Sequence, residues 1–147
     1  NNSKILDVGF GKGFLLYEFE KLLPGVIISG LDRSIYAIEN SKEEVSGNLT
    51  LGRASKLPYD DNSFDFVFSI NTLHCLHNFE LENALSEIER VSAKHKYLCV
   101  ESFRNEVEKA NLLYWQVTCE MFCTPESWEW WFSKTGYTGD HSFIFFE

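Results

Sequence analysis

The sequence predicts an α/β domain built as a doubly wound, mostly parallel sheet with helices on both faces. Three observations lead there. Strand-like and helix-like segments alternate five times along the chain, which calls for a parallel sheet with crossover helices. The strand segments are continuous apolar runs, as burial on both faces requires. The 147 residues, 44% hydrophobic and 24% charged, fill one globular domain spanning 1–147 and are too few for two.

The elements follow in order. Lys4–Val8 is a short apolar strand running into a glycine-rich turn. Phe14, Leu15, Leu16, Phe19, Leu22 and Leu23 then recur at helical spacing until Pro24-Gly25 stops them. Residues 26–31 are β-branched and apolar, a buried strand. Residues 35–45 read as a helix with a weak apolar face, and 49–52 as a short strand. A turn cluster at 58–62 precedes an aromatic-rich strand at 64–70. Leu81, Leu85, Ile88 and Val91 mark an amphipathic helix, and 97–100 is another buried strand. A helix is expected over about 105–122. Thr124 reads as the N-cap of a further helix with Pro125 at its first position and Gly136 at its end. A final strand is expected at 142–146.

The net charge of −9 argues against a sequence-independent nucleic-acid binder and suits solubility. The longest apolar run is strand-sized, far short of the roughly 20 residues of a membrane span. Four cysteines, Cys75, Cys99, Cys119 and Cys123, give no disulfide framework and suggest a reducing, cytoplasmic setting. Cys119 and Cys123 stand one helical turn apart but lack two further ligands, so no metal is expected. No secretory leader is visible at Asn1.

The strongest chemical signal is Ile5-Leu-Asp-Val-Gly-Phe-Gly-Lys-Gly-Phe14, a strand entering a turn with Gly9, Gly11 and Gly13. Glycines there permit positive φ and a close ligand approach, and the turn opens a helix whose amides attract negative charge. Asp7 either holds the turn or accepts a hydrogen bond from a cationic ligand. The dinucleotide fingerprint G-x-G-x-x-G would place its third glycine at position 14, which is Phe14. Asp32 ends the second strand, where a carboxylate accepts both hydroxyls of a ribose. Asp32 thus points to a nucleoside without choosing which. Arg33 follows it, either over a base or simply exposed.

The spacing D-x-G-x-G-x-G resembles motif I of the class I S-adenosylmethionine-dependent methyltransferases. Leu51-Gly-Arg-Ala-Ser-Lys-Leu-Pro58 followed by Phe64-Asp-Phe-Val67 is similar to that family's G-D-A-x-x-L-P and F-D-x-V stretches. Ser69-Ile-Asn-Thr-Leu-His-Cys-Leu-His77 is similar to the N-x-L-H-H-L run of ubiquinone/menaquinone-biosynthesis-type members. The resemblance implies a Rossmann-like domain, S-adenosyl-L-methionine as cofactor and S-adenosyl-L-homocysteine as product. It implies that Ser69 and Asn71 lie beside the methionine part. Arg53 stands where the family has an aspartate, so the contact to the adenine amine is lost and backbone groups of Arg53 and Ala54 are left to hold the base. The family also has helices before its first strand and a closing hairpin. Here either the sequence is trimmed or the sheet has six strands.

His74 matches the first histidine of the family run and is read as a pocket residue, a base or a structural histidine. Glu101 ends the fifth strand on the ligand side and either orients the substrate or acts as base. Tyr114 and Trp115, in an aromatic-rich tail, are the expected substrate wall. The reading is methyl transfer to a small molecule by in-line displacement. A non-catalytic cofactor-binding or scaffold protein of the same fold and a nicotinamide-dependent oxidoreductase are the alternatives.

Overall fold

Side chains leave a strand by alternate faces, and in β1 (Lys4–Val8) both faces are apolar: Ile5 goes to one core, Leu6 and Val8 to the other. The computed structural model describes residues 2–147. Five further strands join β1: β2 (Ile27–Asp32), β3 (Leu49–Leu51), β4 (Phe64–Ile70), β5 (Ser92–Glu101) and β6 (Asp140–Ile144). They form one sheet in the order β3-β2-β1-β4-β5-β6, with every neighbouring pair parallel. The chain winds outward from β1 to β3, returns to the centre at β4, and winds outward again to β6. The direction reverses between β1 and β4, the switch point where such sheets bind ligands beyond their carboxyl ends. This is the doubly wound sheet the sequence predicts, with six strands among the described residues.

One face is covered by α1 (Phe14–Leu22), α2 (Ile35–Glu39) and a 3-10 turn at Glu43–Asn48, which pack Leu16, Ala37 and Val45 against Ile5, Ile28 and Phe68. The other is covered by α3 (Asn78–Val91) and α5 (Pro125–Thr135), which bring Leu81, Ile88 and Trp128 onto Leu6, Val67 and Leu98. Thr124 caps α5 by accepting from the Ser127 N–H, and Gly136 ends it at φ 73°, as the sequence predicts. The guanidinium of Arg90 in α3 donates to the carbonyls of Leu57 and Tyr59 and to Glu87 and Asp61, and Glu87 accepts from the Leu57 N–H. That clamp fixes the loop after β3. Asp65 ties β4 to the start of β1 through the Lys4 N–H at 2.9 Å.

Four expectations shift. The helix expected at 35–45 stops at Glu39, because the Asn40 side chain turns back onto the Tyr36 carbonyl and a 3-10 turn replaces the second half. β5 begins at Ser92, since its polar first half still pairs with β4. The helix expected over 105–122 becomes α4 (Glu106–Trp115) followed by an irregular strap, residues 116–124. Backbone N–H groups of Glu120 and Met121 both donate to the His74 carbonyl, so tertiary bonds replace helical ones. β6 lies at 140–144 rather than 142–146, in register with β5. Among the described residues no helix is long and apolar enough to cross a membrane.

Candidate functional site

The turn after β1 is shaped by its glycines. Gly9 has φ 88°, its N–H donates to the Leu31 carbonyl, and a Cβ there would lie 2.2 Å from Thr72 Oγ1. The loop after β4 therefore presses directly on the backbone at Gly9. Gly11 is different: φ is 60°, yet nothing lies within 4 Å of where its Cβ would stand. The space above Gly11 is open to a ligand. Gly13 is the N-cap of α1 and packs against Val45.

Asp32 closes this turn from the side. Its Oδ2 accepts from the Gly11 N–H at 3.1 Å and its Oδ1 from the Ser34 N–H at 2.9 Å. An ionised carboxylate has about four acceptor positions. Two stay available, the number that a pair of ribose hydroxyls would use. Asp32 lines a cleft of about 110 Å³ at the carboxyl ends of β1, β2 and β3. Gly9 and Thr72 form one wall and Ala54 and Leu76 supply apolar surface. Arg33 lines the same cleft, is exposed, and has no ion-pair or hydrogen-bond partner among the described residues. Asp7 lies beneath, only 4% exposed. Burial, with the charge of Asp32 added, pushes its carboxyl up to about 8.

The cleft continues past Gly52 and Arg33 into a second hollow of about 540 Å³ lined by Leu51, Arg53 and Glu80. Arg53 is exposed, its carbonyl accepts from the Lys56 N–H, and its guanidinium lies 3.7 Å from Glu80. Thr72, Cys75 and Leu76 fall within the Ser69–His77 run singled out in the sequence, whereas Glu80 lies outside it. The one signal for Glu80 was general: it lies just after the loop that follows a strand.

The end of β4 supports the cleft from below. Ser69 is fully buried and donates to the Val8 carbonyl at 2.7 Å, linking β4 to β1. Asn71 turns the chain at φ 60°, with its N–H on the Cys99 carbonyl. His74 and Glu101 come together but are sealed, 1% and 0% exposed. The Glu101 N–H approaches His74 Nδ1 at 3.4 Å, which leaves the ring proton on Nε2, 3.2 Å from Glu101 Oε2. Glu101 Oε1 accepts from the Gln116 side chain at 2.6 Å, while Oε2 has no aligned donor. Burial pushes the Glu101 carboxyl up to about 7 and holds the His74 imidazole down near 4. In this arrangement neither group reaches the cleft. The Glu101 carboxylate holds Gln116 at the start of the strap 116–124, and the backbone carbonyl of His74, not its ring, holds Glu120 and Met121.

Tyr114 and Trp115 stand edge to face, 80% and 68% exposed, at the end of α4. The strap that follows them touches the cleft, since Cys75, which lines it, meets Thr118 at 3.5 Å. His77 is exposed, stacks on Phe79 and faces Glu120. Among the described residues no three His, Cys, Asp or Glu side chains gather as a metal set.

Comparison with known proteins gives a consistent result. A family model described as a methyltransferase domain matches residues 1–136. A sterol 24-C-methyltransferase of Gibberella zeae is 37% identical over 95 residues, covering 60% of this chain and 24% of that protein. An uncharacterised methyltransferase of Schizosaccharomyces pombe is 31% identical over 108 residues, covering 65% of this chain and 38% of that protein. The chain thus spans well under half the length of these two relatives. Among solved structures, a chain of the complex between the Haloferax volcanii Trm112 methyltransferase activator and a methyltransferase superposes with a TM-score of 0.76 at 21% identity. The match covers 92% of this chain and 62% of that one, and it shows the shared fold.

Proposed function

The chain belongs to the methyltransferase-domain family, and from that premise we propose that it binds S-adenosylmethionine in the cleft above β1 and β2 and transfers the methyl group to a small apolar acceptor. The observation that carries this reading is Asp32, a strand-end carboxylate with two acceptor positions left, beside the open face of Gly11. When bound, S-adenosylmethionine supplies an already activated methyl group, so the protein's work is positioning. Holding two reactants in line contributes about 7–11 kcal/mol in favourable cases.

Each residue has a part in that work. Asp32 accepts the ribose hydroxyls. Gly11 lets the ligand approach the backbone, Gly9 admits Thr72 against the wall of the cleft, and the buried Asp7 underlies the turn they form. Ala54 and Leu76 give the base an apolar surface, Arg33 lies over it, and backbone groups of Arg53 and Ala54 meet its edge. Ser69 and Asn71 fix the β4 loop on the methionine side. His74 and Glu101 act as positioning residues that fasten the strap and the α4 end, where Tyr114 and Trp115 form the acceptor wall. That exposed aromatic wall and the kinship with a sterol methyltransferase both favour an apolar acceptor over a charged polymer, as does the net charge of −9.

The test is turnover. The chain is incubated with S-adenosylmethionine and a panel of apolar small molecules, and S-adenosylhomocysteine release is read by mass spectrometry. Acceptor-dependent release that disappears in Asp32→Ala supports the reading. Hydride exchange with a nicotinamide cofactor and no release with any acceptor overturns it.

A further inference from the structure

The hollow beyond Gly52 holds a carboxylate that the cofactor reading has not used. Glu80 sits in the first turn of α3, and its side chain is only 16% exposed. A carboxylate whose oxygens open onto a hollow, as these do, can bond whatever fills it. No hydrogen bond reaches this one from the described residues. Its partner is Arg53, whose guanidinium lies 3.7 Å away, beyond hydrogen-bonding distance, and is itself 76% exposed. The acceptor positions of Glu80 are therefore largely unspent, in a hollow that joins the Asp32 cleft at Arg33 and Gly52.

Orientation follows from the sheet. The reacting end of a cofactor held at Asp32 has to face the acceptor, whose wall at Tyr114 and Trp115 follows β5. Its base then points the opposite way, past Gly52 and toward β3, into the hollow that Glu80 lines. A carboxylate there offers only lone pairs. It matches a purine with an amine at position 6 and repels one with a carbonyl.

We propose that Glu80 accepts the hydrogen bond from the exocyclic amine of the cofactor's purine, and so selects adenine from the helix side of the cleft. This rests on the cofactor reading above and adds a specificity residue to it. Hydrogen bonds to charged groups are worth enough to set a preference of roughly 10- to 100-fold for the 6-amino purine over its 6-oxo analogue.

The test is calorimetric titration of the full chain with S-adenosylhomocysteine and with its inosine analogue, on wild type, Glu80→Gln and Asp32→Ala. Glutamine offers both a donor and an acceptor, so Glu80→Gln narrows the preference to within about threefold. Asp32→Ala weakens both ligands alike, because the ribose is common to them. Each preference is a ratio within one variant, so any loss of helix stability from removing a charge near the α3 N-terminus cancels. If Glu80→Gln keeps the wild-type preference while Asp32→Ala loses both ligands, the Glu80 assignment falls and the cofactor reading stands. If wild type binds neither ligand, both fall.

Discussion

Gly9 and Gly11 are two residues apart and share a left-handed backbone, yet the structure gives them different work, and alanine at each separates the two. At Gly9, an added Cβ meets Thr72 Oγ1 at 2.2 Å and Thr72 Cγ2 at 2.4 Å. Forcing a methyl into such a contact costs about 1–3 kcal/mol. The left-handed conformation costs alanine about 1–2 kcal/mol more, offset by roughly 0.4–1 kcal/mol from the stiffer unfolded chain. Gly9→Ala is therefore expected to lose about 2–3 kcal/mol. In a chain of this size that lowers the melting midpoint by roughly 4–12 °C. Gly11→Ala meets no atom within 4 Å, so only the backbone terms remain and the net cost stays below about 1.6 kcal/mol. Its methyl stands in the space left for the ligand, and S-adenosylhomocysteine affinity falls about tenfold. The assays are thermal melting without ligand and calorimetric titration with it. A Gly11→Ala variant that melts as low as Gly9→Ala, or that binds like wild type, would refute this division.

Three further outcomes follow from the same geometry. The folded pKa of Asp7, about 8, lies above its ordinary value of 3.8, so the folded state keeps a proton that the unfolded state releases. Stability from this group is full below about pH 4 and is lost as the pH rises toward 8, and Asp7→Asn flattens that decline in denaturant midpoints measured across the range. Trp128 is wholly buried and donates its indole N–H to the Glu101 carbonyl at 3.0 Å. Trp128→Ala is expected to cost about 4 kcal/mol in urea unfolding and Trp128→Phe about 1–2 kcal/mol. Tyr114→Ala/Trp115→Ala, at exposed positions, shifts stability by less than about 0.5 kcal/mol and leaves cofactor affinity unchanged, while KM for the methyl acceptor rises.

The central part of the fold was legible because its signals are local. Pro24-Gly25 stops α1, the apolar run of β2 ends at Asp32, and Thr124-Pro125 opens α5, each within a few residues of sequence. What escaped depended on contacts made across the chain. Residues 92–96 carry no apolar run, and only pairing with β4 makes them strand. Residues 116–122 look helical, but the His74 carbonyl takes the N–H groups of Glu120 and Met121 and Glu101 takes the Gln116 side chain. At the site, the positions of Asp32 and the three glycines could be read from spacing. The sealing of His74 and Glu101 could not, because it depends on a strap more than 40 residues downstream of His74 folding back over them. Glu80 was equally invisible, since its meaning comes from where the first turn of α3 meets the loop after β3.

Every role proposed for the cleft depends on the identity of the nucleoside held at Asp32. Isothermal titration of the chain with S-adenosylmethionine and NAD+, repeated on Asp32→Ala, measures it. The expected result is binding of S-adenosylmethionine, at least tenfold weaker in the variant, with no comparable affinity for NAD+. Preferential binding of NAD+, or S-adenosylmethionine affinity untouched by the loss of Asp32, would contradict the account.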